Sequence, residues 1–199
     1  MPEPVTPSSL LTSQMCTKAR EHYERIFIPA YQKFQHEALA TPLTVLIWGP
    51  SISGGELYKK RIQIKEQLLR DGFAAVFSED IDSEYPVEGD MSIKMREFMQ
   101  ACAADCIVVL QSSPGSIAEV HDFAGCLRDI AHKMLIFIDS SYRDGYSYNG
   151  TLRELNEHFG NVHNYESPKD LVECHLLGAV LKKVTFLRLA KWRKGRIYD

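Results

Sequence analysis

One stretch of the sequence, LQSSPGSIAEVHDF at residues 110–123, places small residues and a carboxylate where an apolar strand gives way to a helix. Open α/β sheets bind their ligands at such corners. Glu119 there can stabilise or attack a positively charged sugar carbon, because glycosidic cleavage passes through an oxocarbenium-like state. The spacing also has a second interpretation. Ser116 and Glu119 match the Ser-x-x-Glu capping box, in which Glu119 only completes the start of a helix.

Two residues that follow Glu119 are chemically active types. His121 lies at i+2 from Glu119 and so points to another face of a helix. We therefore expect a surface or hydrogen-bonded histidine there, and no Glu–His dyad. Asp122 lies at i+3 and is the better-placed neighbour. If both carboxylates face the cleft, their mutual repulsion raises the pKa of one of them.

A second glycine-rich turn, GPSISGGE at residues 49–56, also follows an apolar run. Its glycines let the backbone approach a ligand, and the next helix offers unpaired N–H groups to a phosphate. Gly49, Pro50 and Ser51 are therefore candidates for binding ribose or phosphate, with an ordinary strand-to-helix turn as the alternative. The turn matches neither G-x-G-x-x-G nor a P-loop, which argues against a dehydrogenase or a P-loop enzyme.

Two further loops carry candidate ligand contacts. In the acidic segment 79–91, Asp82 and Tyr85 are candidates for binding a ribose hydroxyl, as acidic residues do in dinucleotide-binding folds. A solvated loop is the alternative there. The loop at 140–150 carries three tyrosines that either stack on a base or pack the loop down: Tyr142, Tyr146 and Tyr148.

Strands and helices alternate along the chain, and together they must position these residues. Short apolar runs predict four strands, at 43–48, 73–78, 106–111 and 133–139, and NVHNY at 161–165 is a weaker fifth strand. Helical patterns between them are predicted at 56–71, 92–104, 116–130 and 151–158, and a long final helix at 168–192. The alternation predicts parallel pairing through right-handed crossovers, hence a doubly wound α/β sheet of five strands. The turns after the strands then share one crevice.

The segment before the first strand is predicted as a separate extension. Residues 12–38 show one apolar stripe at three- and four-residue spacing, which predicts a helix. Pro29 lies inside that stripe and predicts a kink or two shorter helices. We therefore divide the chain into a mostly helical N-terminal extension at 1–40 and a Rossmann-like α/β domain at 41–199.

Composition limits the classes of protein that fit. The chain has 199 residues, 45% of them hydrophobic, and a net charge of −3, which argues against a surface devoted to nucleic acid. Its five cysteines form no C-x-x-C and no zinc set, so we expect no metal and mostly buried, reduced thiols. The N-terminus lacks the pattern of a signal peptide, and no apolar run reaches membrane-spanning length. These features predict a cytoplasmic protein without a membrane segment.

The stretch LKKVTFLRLAKWRKGRIYD at 181–199 is basic and amphipathic. One interpretation is a final helix that packs on the core and keeps a solvated basic face. The other is a docking site for nucleic acid or for an acidic partner protein.

Residues 43–140 carry a family resemblance. The segments LTVLIWGPSISGGELYKKRIQIKEQLLRDGF and SSPGSIAEVHDFAG, with HKMLIFID, resemble the nucleoside 2-deoxyribosyltransferase and TIR-like group of flavodoxin-like folds. In that group a Gly-Ser/Thr-x-x-Glu turn after the third strand carries the catalytic glutamate. The resemblance therefore implies a flavodoxin-like sheet, Glu119 as the catalytic residue, and Gly115 and Ser116 in the substrate site. Ser113 stands where deoxyribosyltransferases usually carry Asp, which favours hydrolysis over transfer.

The resemblance implies an activity and a setting. The activity is cleavage of the N-glycosidic bond of NAD or a related nucleotide or nucleoside, with the nucleotide as substrate and no other cofactor. The setting is a regulated toxic effector in bacterial defence, completed by a partner or by homo-oligomerisation through the N-terminal helix or the basic tail. The alternative is a non-catalytic nucleotide-binding or scaffold module on the same fold, in which Glu119 only caps a helix.

Overall fold

The computed structural model describes residues 15–86, 89–111, 114–126, 129–195 and 197–198, apart from the side chains at 114 and 115. The chain divides into two compact units, Met1–Thr41 and Pro42–Asp199.

The first unit is helical over its described residues. It contains α1 (Thr17–His22), a π-helical turn at Tyr23–Phe27 and α2 (Ile28–Ala40). The predicted division into two shorter helices is found, since the π-helical turn separates α1 from α2. Pro29 lies in the first turn of α2, where a missing N–H is tolerated. The wider π turn directly before it shifts the hydrogen-bond register at the same place.

The second unit is built on one parallel sheet. Its strands are β1 (Thr44–Trp48), β2 (Ala74–Phe77), β3 (Cys106–Gln111), β4 (Met134–Asp139) and β5 (Val162–Tyr165). Their order is β2-β1-β3-β4-β5, and every adjacent pair is parallel. β3 is buried at every position, as expected for a central strand covered on both faces. The predicted five-stranded doubly wound fold is confirmed, and this strand order is the flavodoxin-like one.

Helices cover both faces of the sheet. They are α3 (Gly55–Arg70), α4 (Ser78–Glu84), α5 (Ile93–Ala103), α6 (Pro114–Ala124), α7 (Arg153–Phe159), α8 (Lys169–Val172) and α9 (His175–Lys194). Apolar residues of α3 and α9 pack on one face, and those of α5, α6 and α7 on the other. Across the described part of the chain, none of the helices combines the length and apolarity that crossing a membrane requires.

Two local predictions are wrong. The segment 79–91 was expected to be a loop, but its first part is α4. Glu79 and Asp80 stabilise the start of this helix, because carboxylates in a first turn interact favourably with the helix dipole.

The cysteines were expected to be mostly buried. All five are free, but Cys106 alone among them is buried, since Cys102 and Cys174 lie on solvent-facing parts of their segments.

Candidate active site

The switch in connection direction lies between β1 and β3. The helix that follows β1, α3, covers one face of the sheet, while α6 follows β3 and covers the other. Ligands of open α/β sheets bind in the crevice that this reversal leaves at the carboxyl ends of the strands. The glycine-rich turn after β1 and the start of α6 both lie at this position.

The turn after β1 runs unusually close to β3. Gly49 has a φ of +155°, and a Cβ there would lie 3.1 Å from Leu110 Cβ and 3.3 Å from Leu110 O. At Gly54, a Cβ would lie 2.3 Å from Pro50 Cβ. A larger residue at position 49 would push the turn away from β3, and one at position 54 would collide with Pro50 inside the turn. Pro50 is buried, whereas Ser51 is exposed and its hydroxyl lies 3.3 Å from that of Ser53.

A buried arginine holds this turn in place. Arg61 of α3 is 2% exposed and donates to the carbonyl oxygens of Ile47 at 2.8 Å and Pro50 at 3.4 Å. It also forms a bidentate ion pair with Glu79 at 2.6 and 2.8 Å. Its guanidinium lies 4.1 Å from the centre of the Phe77 ring. Arg61 thus ties α3, the β1 turn and the start of α4 together.

Sequence reasoning did not single out Arg61, although a signal was present. Leu57, Ile64 and Leu68 form the buried stripe of α3, and Arg61 falls on that stripe at i+4 from Leu57. A charged residue in an apolar stripe must be paired when the helix packs. That position was therefore the place to expect a buried ion pair.

The carboxyl group of Glu119, on α6, is paired with another carboxyl group, that of Glu97 on α5. The two side chains are hydrogen-bonded to each other, and both are partly buried. Burial, followed by the repulsion of Glu97 and Glu79, raises the pKa of Glu119 to about 8 against the opposing effect of Arg61. Burial also raises the pKa of Glu97, with repulsion from Asp82 and Asp122 adding to it. The pair therefore retains a proton near neutral pH, which allows one member to act as an acid and the other as a base.

The capping interpretation of Glu119 is wrong. The α6 helix begins at Pro114, so Ser116 is its third residue and Glu119 its sixth. A capping-box glutamate lies at the third helical position, within reach of the N-cap N–H. Ser116 is buried at 2% exposure and packs inside the helix start. Gly115 belongs to the first turn of α6, and Ser113 lies outside the described residues.

Two buried polar atoms near this pair have no hydrogen-bond partner among the described residues. One is Oε2 of Glu119 and the other is Nε1 of Trp48, the last residue of β1. The Trp48 ring stacks on Phe123 at 5.6 Å, and Phe123 lies one helical turn after Glu119. Buried polar groups are seldom left unpaired. A buried donor on Trp48 and a buried acceptor on Glu119 are therefore both left without a protein partner among the described residues.

The two acidic-segment candidates line a different cavity. Asp82 accepts a hydrogen bond from Gln100 at 2.8 Å and pairs with Arg96 at 2.9 Å. With Tyr85, which is 72% exposed, these residues line a cavity of about 300 Å³ that is otherwise mostly apolar. Glu119 is not among its lining residues. Asp82 thus lies close enough to Glu97 to raise its pKa. Tyr85 lines this separate cavity and is not placed beside the carboxyl pair.

The three tyrosines of the loop at 140–150 have two different roles. Tyr142 and Tyr146 line a second cavity, of about 170 Å³, together with Gln111 at the end of β3. Tyr148 instead accepts a hydrogen bond from Nδ2 of Asn164 at 3.1 Å. Two of the three tyrosines are therefore available to a ligand, and the third holds its loop against β5.

The neighbours of Glu119 in sequence are engaged elsewhere. Both ring nitrogens of His121 lie within hydrogen-bond distance of hydroxyls, Ser147 at 3.0 Å and Thr151 at 2.9 Å. The expectation of a hydrogen-bonded histidine is confirmed. Asp122 pairs with Lys94 at 2.8 Å and is largely solvated. The carboxylate that pairs with Glu119 is Glu97, which comes from another helix and has no local spacing that would reveal it.

Part of the basic stretch at 181–199 packs against the α/β domain. Arg188 is buried, donates to the carbonyl oxygens of Asp71 and Gly72, and lies 3.5 Å from the Phe73 ring centre. Lys191 pairs with Asp105 at 2.8 Å. These two contacts support the interpretation of a core-packing helix, while Lys182 and Arg193 remain exposed.

One group of side chains elsewhere has ligand atoms spaced for a cation. Those of Asp170, Glu173 and His175 lie within 4.8 Å of one another. Each already has a protein partner: Asp170 accepts from the Glu166 N–H at 2.7 Å, and Glu173 lies 2.7 Å from His175. The group lies around the start of α9, which covers the opposite face of the sheet from α6, and it takes no part in the candidate site.

No family model matches the chain, and no curated protein matches it.

Proposed function

We propose that this chain hydrolyses the N-glycosidic bond of NAD or a related nucleotide or nucleoside, with Glu119 stabilising or trapping the ribosyl cation. The observation that carries the proposal is the Glu119–Glu97 carboxyl pair at the switch point of the sheet, with one Glu119 oxygen left unpartnered. The sequence resemblance supports the same role for Glu119.

The reaction follows from the charges at the pair. The bond between sugar C1′ and the ring nitrogen breaks, and its electron pair leaves with the nitrogen. The positive charge that develops at C1′ is stabilised by an adjacent carboxylate. A water molecule then adds to C1′, and the proton that it loses passes to a carboxylate of the pair. Sugar hydroxyls are suited to the unpartnered atoms of Glu119 and Trp48.

A cationic substrate matches this site especially well. The ring nitrogen of NAD carries a positive charge before cleavage, and an opposite charge nearby favours the ionised form of a carboxyl group. Binding would therefore release the proton that the pair holds in the free protein. Glu119 becomes ionised when the substrate is in place, which is when an anion is needed.

The effector role follows from the resemblance alone. In that role the chain would remain inactive until a partner protein, a nucleic acid or a second copy completes the site. The exposed cations of α9, Lys182 and Arg193, are the surface we propose for that contact. Expression with and without neighbouring genes, followed by quantification of NAD, tests for activation. An NAD pool that never changes in any combination contradicts it.

The direct test supplies NAD, adenosine and deoxyadenosine to the purified chain, together with the partner that activates it in cells if the expression experiment finds one. Mass spectrometry quantifies the released base for wild type, Glu119→Gln and a matched control, Glu157→Gln, which changes an exposed glutamate paired with Arg153. We expect release by wild type and by the control, and a loss of at least about a hundredfold in Glu119→Gln. Full release by Glu119→Gln would exclude the proposed role.

A non-catalytic nucleotide-binding module is the second candidate function. The raised pKa of Glu119 favours it, because a protonated carboxyl group donates a hydrogen bond to a ligand and is a poor nucleophile. Calorimetric titration with the same compounds distinguishes the two. Binding without release of base supports the module.

A further inference from the structure

A small cavity at the carboxyl end of β3 has a composition that the proposed reaction does not explain. Its volume is about 170 Å³. The residues that line it are Gln111, Ile117, Ile138, Tyr142, Gly145, Tyr146 and Ser147. The walls come from three elements, the ends of β3 and β4 and the start of α6, with the loop after β4 closing one side.

Gln111 gives this cavity a specific polar contact. Its side chain is 3% exposed, and its Oε1 has no hydrogen-bond partner among the described residues. Leaving a buried acceptor unpaired costs the free energy of its lost hydration. β3 alternates its side chains between faces, so Gln111 lies on the same face as Val109, which is the face that α6 covers. A ligand that donates a hydrogen bond in this cavity would satisfy the acceptor.

The remaining walls select the shape and charge of that ligand. Ile117 and Ile138 provide apolar surface, and the rings of Tyr142 and Tyr146 lie at the mouth, 57% and 91% exposed. Exposed aromatic rings beside a small apolar cavity are suited to stacking on a flat ring. The lining residues carry no charge, so an uncharged ring avoids the cost of placing an ion there.

We propose that this cavity binds an uncharged heteroaromatic ring that carries an amino or carboxamide N–H, with Oε1 of Gln111 as the acceptor. The ring is the base that N-glycosidic cleavage releases, and this part of the proposal rests on the proposed function. Nicotinamide and adenine belong to this class. NAD contains both rings, and nicotinamide becomes uncharged at the moment it leaves, so the cavity would favour the product base over the bound cation.

The experiment measures binding of free rings to the full chain by ligand-observed NMR. The probes are nicotinamide, adenine and nicotinate, which lacks the N–H donor of nicotinamide and carries a charge. The variants are Gln111→Leu, which removes the acceptor while keeping the bulk, and Tyr146→Ala, which removes an exposed ring. Phe186→Ala on α9 is the matched control, since Phe186 is an exposed aromatic residue on the opposite face of the sheet.

We expect nicotinamide or adenine to bind and nicotinate to bind more weakly. Gln111→Leu should weaken binding about tenfold, the effect of losing one hydrogen bond to a buried acceptor. Tyr146→Ala should also weaken it, while Phe186→Ala should not. Unchanged binding in Gln111→Leu, equal binding of nicotinate, or binding of no ring to wild type would each overturn the proposal.

The outcome separates this cavity from the proposed reaction. Ring binding that survives in Glu119→Gln, with no release of base by wild type, would retain the cavity and reject the reaction. Release of base without ring binding would retain the reaction and reject the cavity.

Discussion

Asp105 lies before strand β3 and Glu119 lies after it, and the surroundings of these two carboxylates differ. Asp105 directly precedes β3. Its Oδ2 accepts from the Thr44 N–H at 2.9 Å, and Lys191 donates to both of its oxygens at 2.8 and 3.0 Å. Glu119 follows β3. It faces another carboxyl group and has an oxygen without a partner among the described residues.

Under the proposed function, this difference separates a structural carboxylate, Asp105, from a reacting one, Glu119. Asp105 joins the starts of β1 and β3 to α9, and its donors satisfy both of its oxygens. Glu119 instead shares a hydrogen bond with another carboxyl group, that of Glu97, and burial together with the repulsion between the two raises its pKa. Strongly perturbed titration beside a crevice is characteristic of functional groups. The predictions below test whether this distinction holds.

The largest expected effect is on the pH profile of catalysis. If ionised Glu119 acts in the reaction, kcat/KM should rise with pH up to the pKa of about 8. Because the group is half ionised at its pKa, the expected rise from pH 6 to pH 8 is about fiftyfold. Asp105→Asn should leave the shape of this profile unchanged. A flat profile between pH 6 and pH 8 would show that ionised Glu119 takes no part in the reaction.

The next largest effect is on stability, at Arg61. Arg61→Met leaves the buried carbonyl oxygens of Ile47 and Pro50 without their donor, and it frees Glu79 to solvent. We expect the free energy of unfolding to fall by about 2–4 kcal/mol, as measured by urea denaturation. Arg70→Met, an exposed residue of the same helix, is the control and should change it by less than about 0.5 kcal/mol. Equal losses of stability in Arg61→Met and Arg70→Met would show that the buried charge of Arg61 does not stabilise the carboxyl end of the sheet.

A smaller effect should appear in the pH dependence of stability. The pKa of Glu119 is higher in the folded chain than in the unfolded chain, so the folded state keeps a proton that the unfolded state releases. Its stabilising contribution is complete below the ordinary value of 4.5 and is lost as the pH rises toward about 8. Glu119→Gln should therefore gain stability relative to wild type over that range, on the order of 1–2 kcal/mol at pH 8. Thermal melts from pH 5 to pH 8 measure it, and a constant difference between the two proteins would contradict the raised pKa.

The smallest effect is expected at Asp105 itself. Asp105→Asn weakens the contact with Lys191, which is about three-quarters buried, and should lower Tm by about 2–4 °C for a loss of about 1 kcal/mol. The rate of base release should not change. Asp122→Asn, which breaks an exposed pair with Lys94, should lower Tm less. Loss of activity in Asp105→Asn without a change in Tm would reverse the roles assigned to the two ends of the sheet.

The sheet could be predicted from local pattern, whereas the site could not. All five strands lie within a residue of their predicted bounds. Strands β1, β3 and β4 are apolar runs, as buried parallel strands are, whereas β5 is an edge strand with a mostly polar sequence. Glu119 was found for the same local reason, as a carboxylate after a small-residue turn. Glu97 and Arg61 come from other helices, and no spacing in the sequence links them to Glu119. The start of α6 was misplaced by two residues, and that small error was enough to make a capping box appear plausible.

The position of α9 has a consequence for synthesis of the chain. α9 follows all five strands, yet five of its residues complete the apolar core on one face of the sheet: Leu176, Leu177, Val180, Val184 and Leu187. Strands β1 and β3 are made long before that cover exists. On the ribosome, their apolar side chains on this face remain accessible until α9 has emerged, and exposed apolar surface of this kind attracts chaperones and promotes aggregation. We therefore expect ribosome-bound chains arrested before residue 175 to bind a holdase chaperone. Chains of all 199 residues, held on the ribosome by an added C-terminal linker longer than the exit tunnel, should release it.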